Sequence, residues 1–390
     1  MKIYTRLGKS LLTVGILSIF AFTSCQKNYS PDEPLPQEFS PTLYASTNNE
    51  VLYAIDVEKG DYNWKVNLNG KLASNPTYAF NHIYVGTESG TFYRIDYKTG
   101  EVKEEINLGG SIKGAALEYN DHIIVAAGTK VYALNPVNFE DQDSRLFTYT
   151  AAGNVSSSPT AHFVDGLSED MEDKIIFFTT QNNQIIAINK EGSQVWNYVA
   201  NDGNGFDSSP NVTNDSFLYV GNNNGKLYNL YTRDGSVRWI YETNGPIKSS
   251  PILVDGNVMF GSYDRTFYSV DSATGLTRWT IETDDIISTS PVFYDMKVYF
   301  GSNDQNIYSI DIIDGEFIWK KVTFGLINSS PIIFEGSVFI GSYDKNIYKL
   351  DAQTGQVQWA YPIQGQMQSS PIIRGINNTS VPSVSGSYVY

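Results

Sequence analysis

The chain has 390 residues, of which 41% are hydrophobic and 18% charged, with a formal net charge of −15 and one cysteine. Such an acid excess excludes nucleic acid and anionic lipid headgroups as surface partners and favours neutral or basic ones. One cysteine excludes an internal disulfide framework, and the 27 tyrosines suit a protein of many short, half-buried strands.

The N-terminus reads as an export signal. Lys2, Arg6 and Lys9 give a basic start, followed by an apolar stretch from Leu11 to Phe22. At about twelve residues it is too short to span a bilayer but fits a signal-peptide core. It ends at Phe22-Thr23-Ser24-Cys25, which resembles the bacterial lipobox, with Phe22 in place of the usual leucine. The expectation is a signal peptide over 1–24 and lipid attachment at Cys25. Acyl chains hold a protein to a membrane at roughly 0.8 kcal/mol per buried methylene. Residues 1–24 carry three positive charges and no negative one, so the remainder stands near −18. Residues 25–40, with Pro31, Pro34 and Pro36, read as an extended tether. Gln26-Lys27 is similar to the surface-export signal of Bacteroidetes lipoproteins, but Asn28-Tyr29 stand where acids should follow. The expected location is the outer membrane, and both the periplasmic side and the cell surface fit the sequence.

Beyond the tether the chain is a repeat. Pro251, Pro291, Pro331 and Pro371 are spaced by 40, each after a serine, and Gly221, Gly261, Gly301 and Gly341 keep the same period. So do Asp271, Asp311 and Asp351, and Trp239, Trp279, Trp319 and Trp359. One unit, taken from Ser250, reads as four short strands. They are Ser250–Val254, Val258–Ser262, Thr266–Val270 and Thr277–Ile281, joined by turns at Asp255-Gly256-Asn257, Tyr263-Asp264-Arg265 and Asp271–Gly275. Four strands in about 40 residues make one blade of a β-propeller.

A lone blade cannot cover both faces of its sheet, so blades stack radially, with the recurring tryptophan as a wedge between neighbours. Counting back from Trp359, Trp319, Trp279, Trp239 and Trp196, blade 3 substitutes Phe147, blade 2 has Glu104, and blade 1 has Trp64. The fold class is therefore all-β, an eight-bladed propeller of four-stranded antiparallel blades over 41–375. Blade 1 starts at its second strand, and the unused Ser370-Pro371-Ile372-Ile373 supplies the missing inner strand, closing the ring and removing its open edges. Residues 376–390 form a tail with no assigned place.

The pattern Ser329-Ser330-Pro331, Ile340-Gly341-Ser342, Tyr348-Lys349-Leu350-Asp351, Thr354-Gly355 and Trp359 resembles the PQQ-like, or quinoprotein-type, propeller repeat. The resemblance covers residues 41 to 375. It implies either a quinone-dependent dehydrogenase or a cofactor-free binding scaffold, the scaffolds including an outer-membrane β-barrel assembly lipoprotein of similar length. Dehydrogenases of the family often stack an adjacent-cysteine disulfide on the cofactor, and Cys25 precedes the propeller. The recurring Asp271, Asp311 and Asp351 sit in repeated turns, as turn formers do; a catalytic carboxylate would break the repeat. His82 and His122 share one repeat position and His162 stands alone, so no histidine cluster points to a metal. No catalytic residue, cofactor or metal is expected.

In a repeat protein, function concentrates where the repeat breaks. Blade 3 replaces its third turn with Pro136–Leu146, containing Phe139, Glu140, Asp141, Asp143 and Arg145. Blade 4 lengthens its first turn to 162–173, with Phe163, Leu167 and Met171 among Asp165, Glu169 and Asp170. Both turns leave the same end of the meander on neighbouring blades, where apolar residues among acids suit a protein partner with a basic rim. On the opposite face, Tyr263-Asp264, Asn303-Asp304, Tyr343-Asp344 and Asn222-Asn223-Asn224 offer aromatic and acid-amide pairs for a glycan or peptide. The expected function is a non-enzymatic, membrane-anchored scaffold for protein contacts, with outer-membrane protein assembly as its leading role and the β-barrel assembly machinery as partner. Glycan or peptide capture is the alternative, and a PQQ-dependent dehydrogenase a third reading.

Overall fold

Each expected hairpin is present. The computed structural model describes residues 40–141, 145–167, 173–214, 216–375 and 380–381. Among these there is no helix, and the strands form eight antiparallel sheets. Blade 6 shows the plan: Ile252–Val254 is innermost, then Asn257–Gly261, Thr266–Asp271 and, outermost, Thr277–Glu282. The inner strand starts two residues later than the sequence suggests because Pro251 has no N–H to donate and Ser250 is committed elsewhere.

Ser250 belongs to a hydrogen-bonded ring. The Ser209 N–H donates to Ser250 Oγ at 3.1 Å, Ser250 N–H to Ser290 Oγ at 2.9 Å, and Ser290 N–H to Ser330 Oγ at 2.9 Å. Ser330 N–H donates to Ser370 Oγ at 3.0 Å, and Ser370 N–H to Asn75 Oδ1 at 2.7 Å, which crosses the closure point. In the other direction Ser158 N–H donates to Ser209 Oγ and Ala115 N–H to Ser158 Oγ, both at 2.9 Å. Ala115 itself has no side-chain oxygen. The serine before each proline thus ties its blade to the preceding one, satisfying a buried backbone donor that no sheet ladder reaches.

At the outer rim the tryptophans tie each blade to the next. In six blades the indole Nε1–H donates to a carbonyl in the following blade's third turn: Trp64 to Tyr97, Trp196 to Thr232, Trp239 to Ser272, Trp279 to Ile312, Trp319 to Ala352, and Trp359 to Val57, all within 2.8–3.1 Å. The ring lies on that turn's glycine. At Gly355 the φ is +68° and an added Cβ would stand 2.6 Å from Trp319. Glycine there supplies both the left-handed backbone and the seat for the ring. Phe147 takes this role on Gly192, as expected. A bulge recurs where the third strand meets the outer one, for example between Ser269 and Val270, and aims the tryptophan at its turn.

Blade 1 consists of Thr42–Ser46, Val51–Asp56 and Tyr62–Asn67, and the inner strand it lacks is supplied by Ile372–Arg374, with Leu43 opposite Ile373. The chain's end closes the ring as the repeat count requires. Ser380–Val381 adds one more short strand on the inner side of Ile373-Arg374, so part of the unassigned tail lies at the inner edge of blade 1.

Candidate binding surfaces

The second turns of the blades and the links between blades form one face. Three acids singled out there, Asp264, Asp304 and Asp344, are engaged within the fold. Asp264 accepts from Thr266 N–H, from Tyr268 Oη–H at 2.7 Å, and from Asn244 N–H in the preceding link. Asp304 and Asp344 repeat the pattern with Tyr308 and Tyr348, each at 2.5 Å. Burial, reinforced by the neighbouring carboxylate, pushes these phenols above their ordinary range. Blade 5 has Asn224 where the acid should be, and Asp202 supplies it from the preceding link. Its carboxylate accepts from Tyr228 Oη–H at 2.9 Å and Asn222 Nδ2–H at 2.9 Å, while its carbonyl accepts from Asn224.

On the opposite face, blade 3 joins its third strand, Lys130–Leu134, to its outer strand, Phe147–Thr150, through the 135–146 loop. Phe139 is fully buried against Tyr84 and Phe92 of blade 2, and so is a core residue. Its N–H donates to Glu104 Oε1 at 2.6 Å, and Glu104 pairs with Arg94 at 3.2 Å. Arg94 and Tyr84 both donate to the Pro136 carbonyl. The absent tryptophan of blade 2 and the altered turn of blade 3 are therefore one change: with no glycine turn to seat a ring, a carboxylate caps the loop instead. Glu140 is exposed and Asp141 half-buried, and the Arg145 guanidinium lies 5.4 Å from the centre of the Tyr132 ring. Val137, at 71% exposure, is the loop's most exposed apolar side chain. In blade 4, Asp165 is exposed, Phe163 half-buried, and Leu167 packs beside the buried Val164 onto the blade core. Asp173 anchors the end of that turn through Lys190 at 2.7 Å. Asp143, Met171 and Cys25 lie outside the described residues.

His82 Nδ1 lies 2.7 Å from the Phe80 carbonyl, and His122 Nδ1 lies 2.6 Å from Asp121. Burial lowers the pKa of His162. Among the described residues no three His, Cys, Asp or Glu are grouped to hold a metal ion.

One surface escaped the repeat reading. Along the rim of blade 7 run Ile313, Phe317, Ile318, Val322 and Phe324, all exposed, Ile313 at 69% and Phe324 at 87%. The matching positions hold Ala273, Thr277, Arg278, Glu282 and Asp284 in blade 6, and Gln353, Val357, Gln358, Pro362 and Gln364 in blade 8. The signal is a change of polarity in repeat columns, with no insertion to mark it.

The family described as outer membrane protein assembly factor BamB matches residues 30–202 and 181–390. The chain belongs to this PQQ-like propeller family. No curated protein sequence matches it. Among solved structures, the PQQ-like ring is similar to the computationally designed Ika8 protein, with a TM-score of 0.64 at 15% identity, covering 79% of this chain and 94% of that one. BamB from Moraxella catarrhalis aligns with a TM-score of 0.47 at 16% identity, over 89% of this chain and 94% of that one. Within this PQQ-like propeller, the Ser-Pro ring, the tryptophan wedges and the turn acids are framework. The blade 3 loop, the blade 4 turn and the blade 7 rim depart from it.

Proposed function

We propose that the chain is a non-enzymatic scaffold, lipid-anchored at Cys25 on the outer membrane, that docks a protein partner in outer-membrane protein assembly. The observation that carries this reading is the apolar rim of blade 7 on a member of the BamB-described family. Exposed phenylalanine and isoleucine at positions that are mostly polar in both neighbouring blades stabilise a protein interface and cost solubility without one. The blade 3 and blade 4 loops, with Val137, Glu140 and Asp165 exposed, provide a second contact with acidic character. A non-catalytic role is supported by the recurring carboxylates, which are occupied as turn formers: Asp271 and Asp351 each accept from a turn threonine hydroxyl at 2.8 Å.

The test is affinity capture of the tagged, full-length lipoprotein from gently solubilised outer membranes, with partners identified by mass spectrometry. Three proteins are compared: wild type, a Phe317→Ser/Phe324→Ser variant, and a variant shortened over 138–145 and 164–172. Recovery of β-barrel assembly proteins, lost on changing blade 7, supports the reading. Loss only in the loop-shortened variant moves the contact to the opposite side of the ring. Recovery of no such protein by the wild type refutes the assembly role.

A further inference from the structure

The second-turn face carries a site that the framework does not explain. In blade 3 the second and third strands, His122–Ala127 and Lys130–Leu134, are joined by Gly128-Thr129 alone, where blade 6 uses Ser262–Arg265. The short turn lies flat on the preceding link: a Cβ on Gly110 would stand 2.6 Å from Gly128 N. Beside the short turn is a cleft of about 320 Å³ whose lining includes Ser111, Lys113, Thr129, Asn154, Ser156 and Gln181. This volume is in the range of small-ligand sites. The Ser111 hydroxyl is buried at this cleft without a hydrogen-bond partner, a group left unsatisfied by the fold itself.

The charge of this cleft distinguishes it. No acid lines it, although the chain is strongly acidic. Two other concavities on the same face contain carboxylates, Glu50 in one and Asp264, Glu282 and Asp284 in the other. Lys113 is exposed and makes no ion pair among the described residues.

From the cleft a polar arc continues around the ring, built from the residue two places before the proline-preceding position together with residues of the second turns. Ser156 and Gln181 both donate to Asp207 Oδ1, at 3.0 and 3.1 Å, and Asn223 Nδ2–H and Lys248 meet Oδ2 at 3.2 Å each. Burial works against the Asp207 charge, but the bonds from Gln181, Lys248 and Ser156 outweigh it and hold the carboxyl below its usual range. Asp207 is thus saturated, and it uses up the charge of Lys248. Above Lys248, 5.3 Å from its ammonium, lies the half-buried Tyr263 ring, whose hydroxyl has no partner among the described residues. Two blades on, Tyr343 Oη accepts from Asn328 at 2.8 Å and Gln368 at 2.7 Å. With both acceptor positions filled, its proton is left to donate outward.

We propose that this arc binds an acidic saccharide, with Lys113 meeting a sugar carboxylate in the cleft and the Tyr263 and Tyr343 hydroxyls donating to hydroxyls further along the glycan. The chemistry favours a sugar over a peptide. Val155 is the one apolar residue with a branched side chain in the cleft lining, whereas peptide recognition relies on buried aliphatic or aromatic anchors. The phenols, amides and hydroxyls suit a ligand made of hydroxyl groups, and the single unpaired lysine suits one carboxylate.

The test is calorimetric titration of the full-length protein with an oligogalacturonate, beside a neutral maltooligosaccharide and an acidic peptide of poly-glutamate. Oligogalacturonate should bind and the other two should bind more weakly. Lys113→Gln should lower its affinity about tenfold or more, the effect of a lost charge-assisted bond, and remove most of its salt dependence. Tyr263→Phe and Tyr343→Phe should each weaken it less, and Glu58→Gln, exposed in the third turn of blade 1 on the other face, should leave it unchanged. Absence of oligogalacturonate binding, equal binding of the peptide, or unchanged affinity in Lys113→Gln overturns the proposal. None of these outcomes involves the blade 7 rim, so the two readings fail separately.

Discussion

Ser330→Ala isolates one link of the serine ring. The substitution removes the acceptor of the Ser290 N–H, which is 2.9 Å from Ser330 Oγ. Ser290 and Ser330 are only 8% and 6% exposed, so water does not replace the lost partner. An orphaned buried donor costs about 1–3 kcal/mol, whereas a serine-to-alanine change at an ordinary surface site stays within roughly 0.5 kcal/mol. The expected loss is therefore about 2 kcal/mol, read as a lower urea midpoint at unchanged m-value. Ser330→Asn is the informative control, because at the closure point Asn75 Oδ1 already accepts the equivalent bond from Ser370. Asparagine should recover part of the loss. A Ser330→Ala protein within roughly 0.5 kcal/mol of wild type, or an asparagine variant no better than alanine, would refute the reasoning that these serines hold the blades in a ring.

Trp319→Ala should destabilise by about 3 kcal/mol or more, seen as a lower Tm, because it deletes a wedge, while the Ala352 carbonyl keeps only its bond from the Tyr299 hydroxyl. Gly355→Ala should also lower Tm, since the new Cβ meets the same ring and the backbone there has a positive φ. The Thr274 hydroxyl and N–H hold the Asp271 carboxyl at about 2. A depressed carboxylate stabilises the fold above its unfolded pKa and loses that contribution as pH falls through the folded value. Asp271→Asn should therefore be less stable than wild type near neutrality, the difference shrinking from about pH 4 toward pH 2 in acid titrations followed by circular dichroism. Ending the chain after Gln368 removes Ser370 and the closing strand and should give aggregation on size-exclusion chromatography, whereas ending it after Gly375 should leave a monodisperse ring.

What repeats was legible, because each blade solves the same contact in the same way. The tryptophan column, the Ser-Pro column and the closure by Ile372-Ile373 all follow from a period of 40. What departs from the repeat was legible only where residues are added. Phe139 sits among acids and reads as a docking residue, but the loop folds it inward beside Phe92, and the compensating change, Glu104, lies in the previous blade. Asp264, Asp304 and Asp344 read as ligand groups because their tyrosine partners, four residues on, point back to them only once the hairpin forms. The blade 7 rim adds nothing to the length of its repeat and the blade 3 second turn shortens it, so both emerge only from comparing polarity and length column by column.

The central claim is a protein partner held on the rim of blade 7. Its most direct test is a photo-crosslinking residue placed at Phe324 in cells that make the protein, with the same residue at the exposed Lys59 in blade 1 as control. An adduct to an outer-membrane assembly protein from position 324, absent from position 59, is the expected result. No adduct from position 324, or the same adducts from both positions, would contradict it.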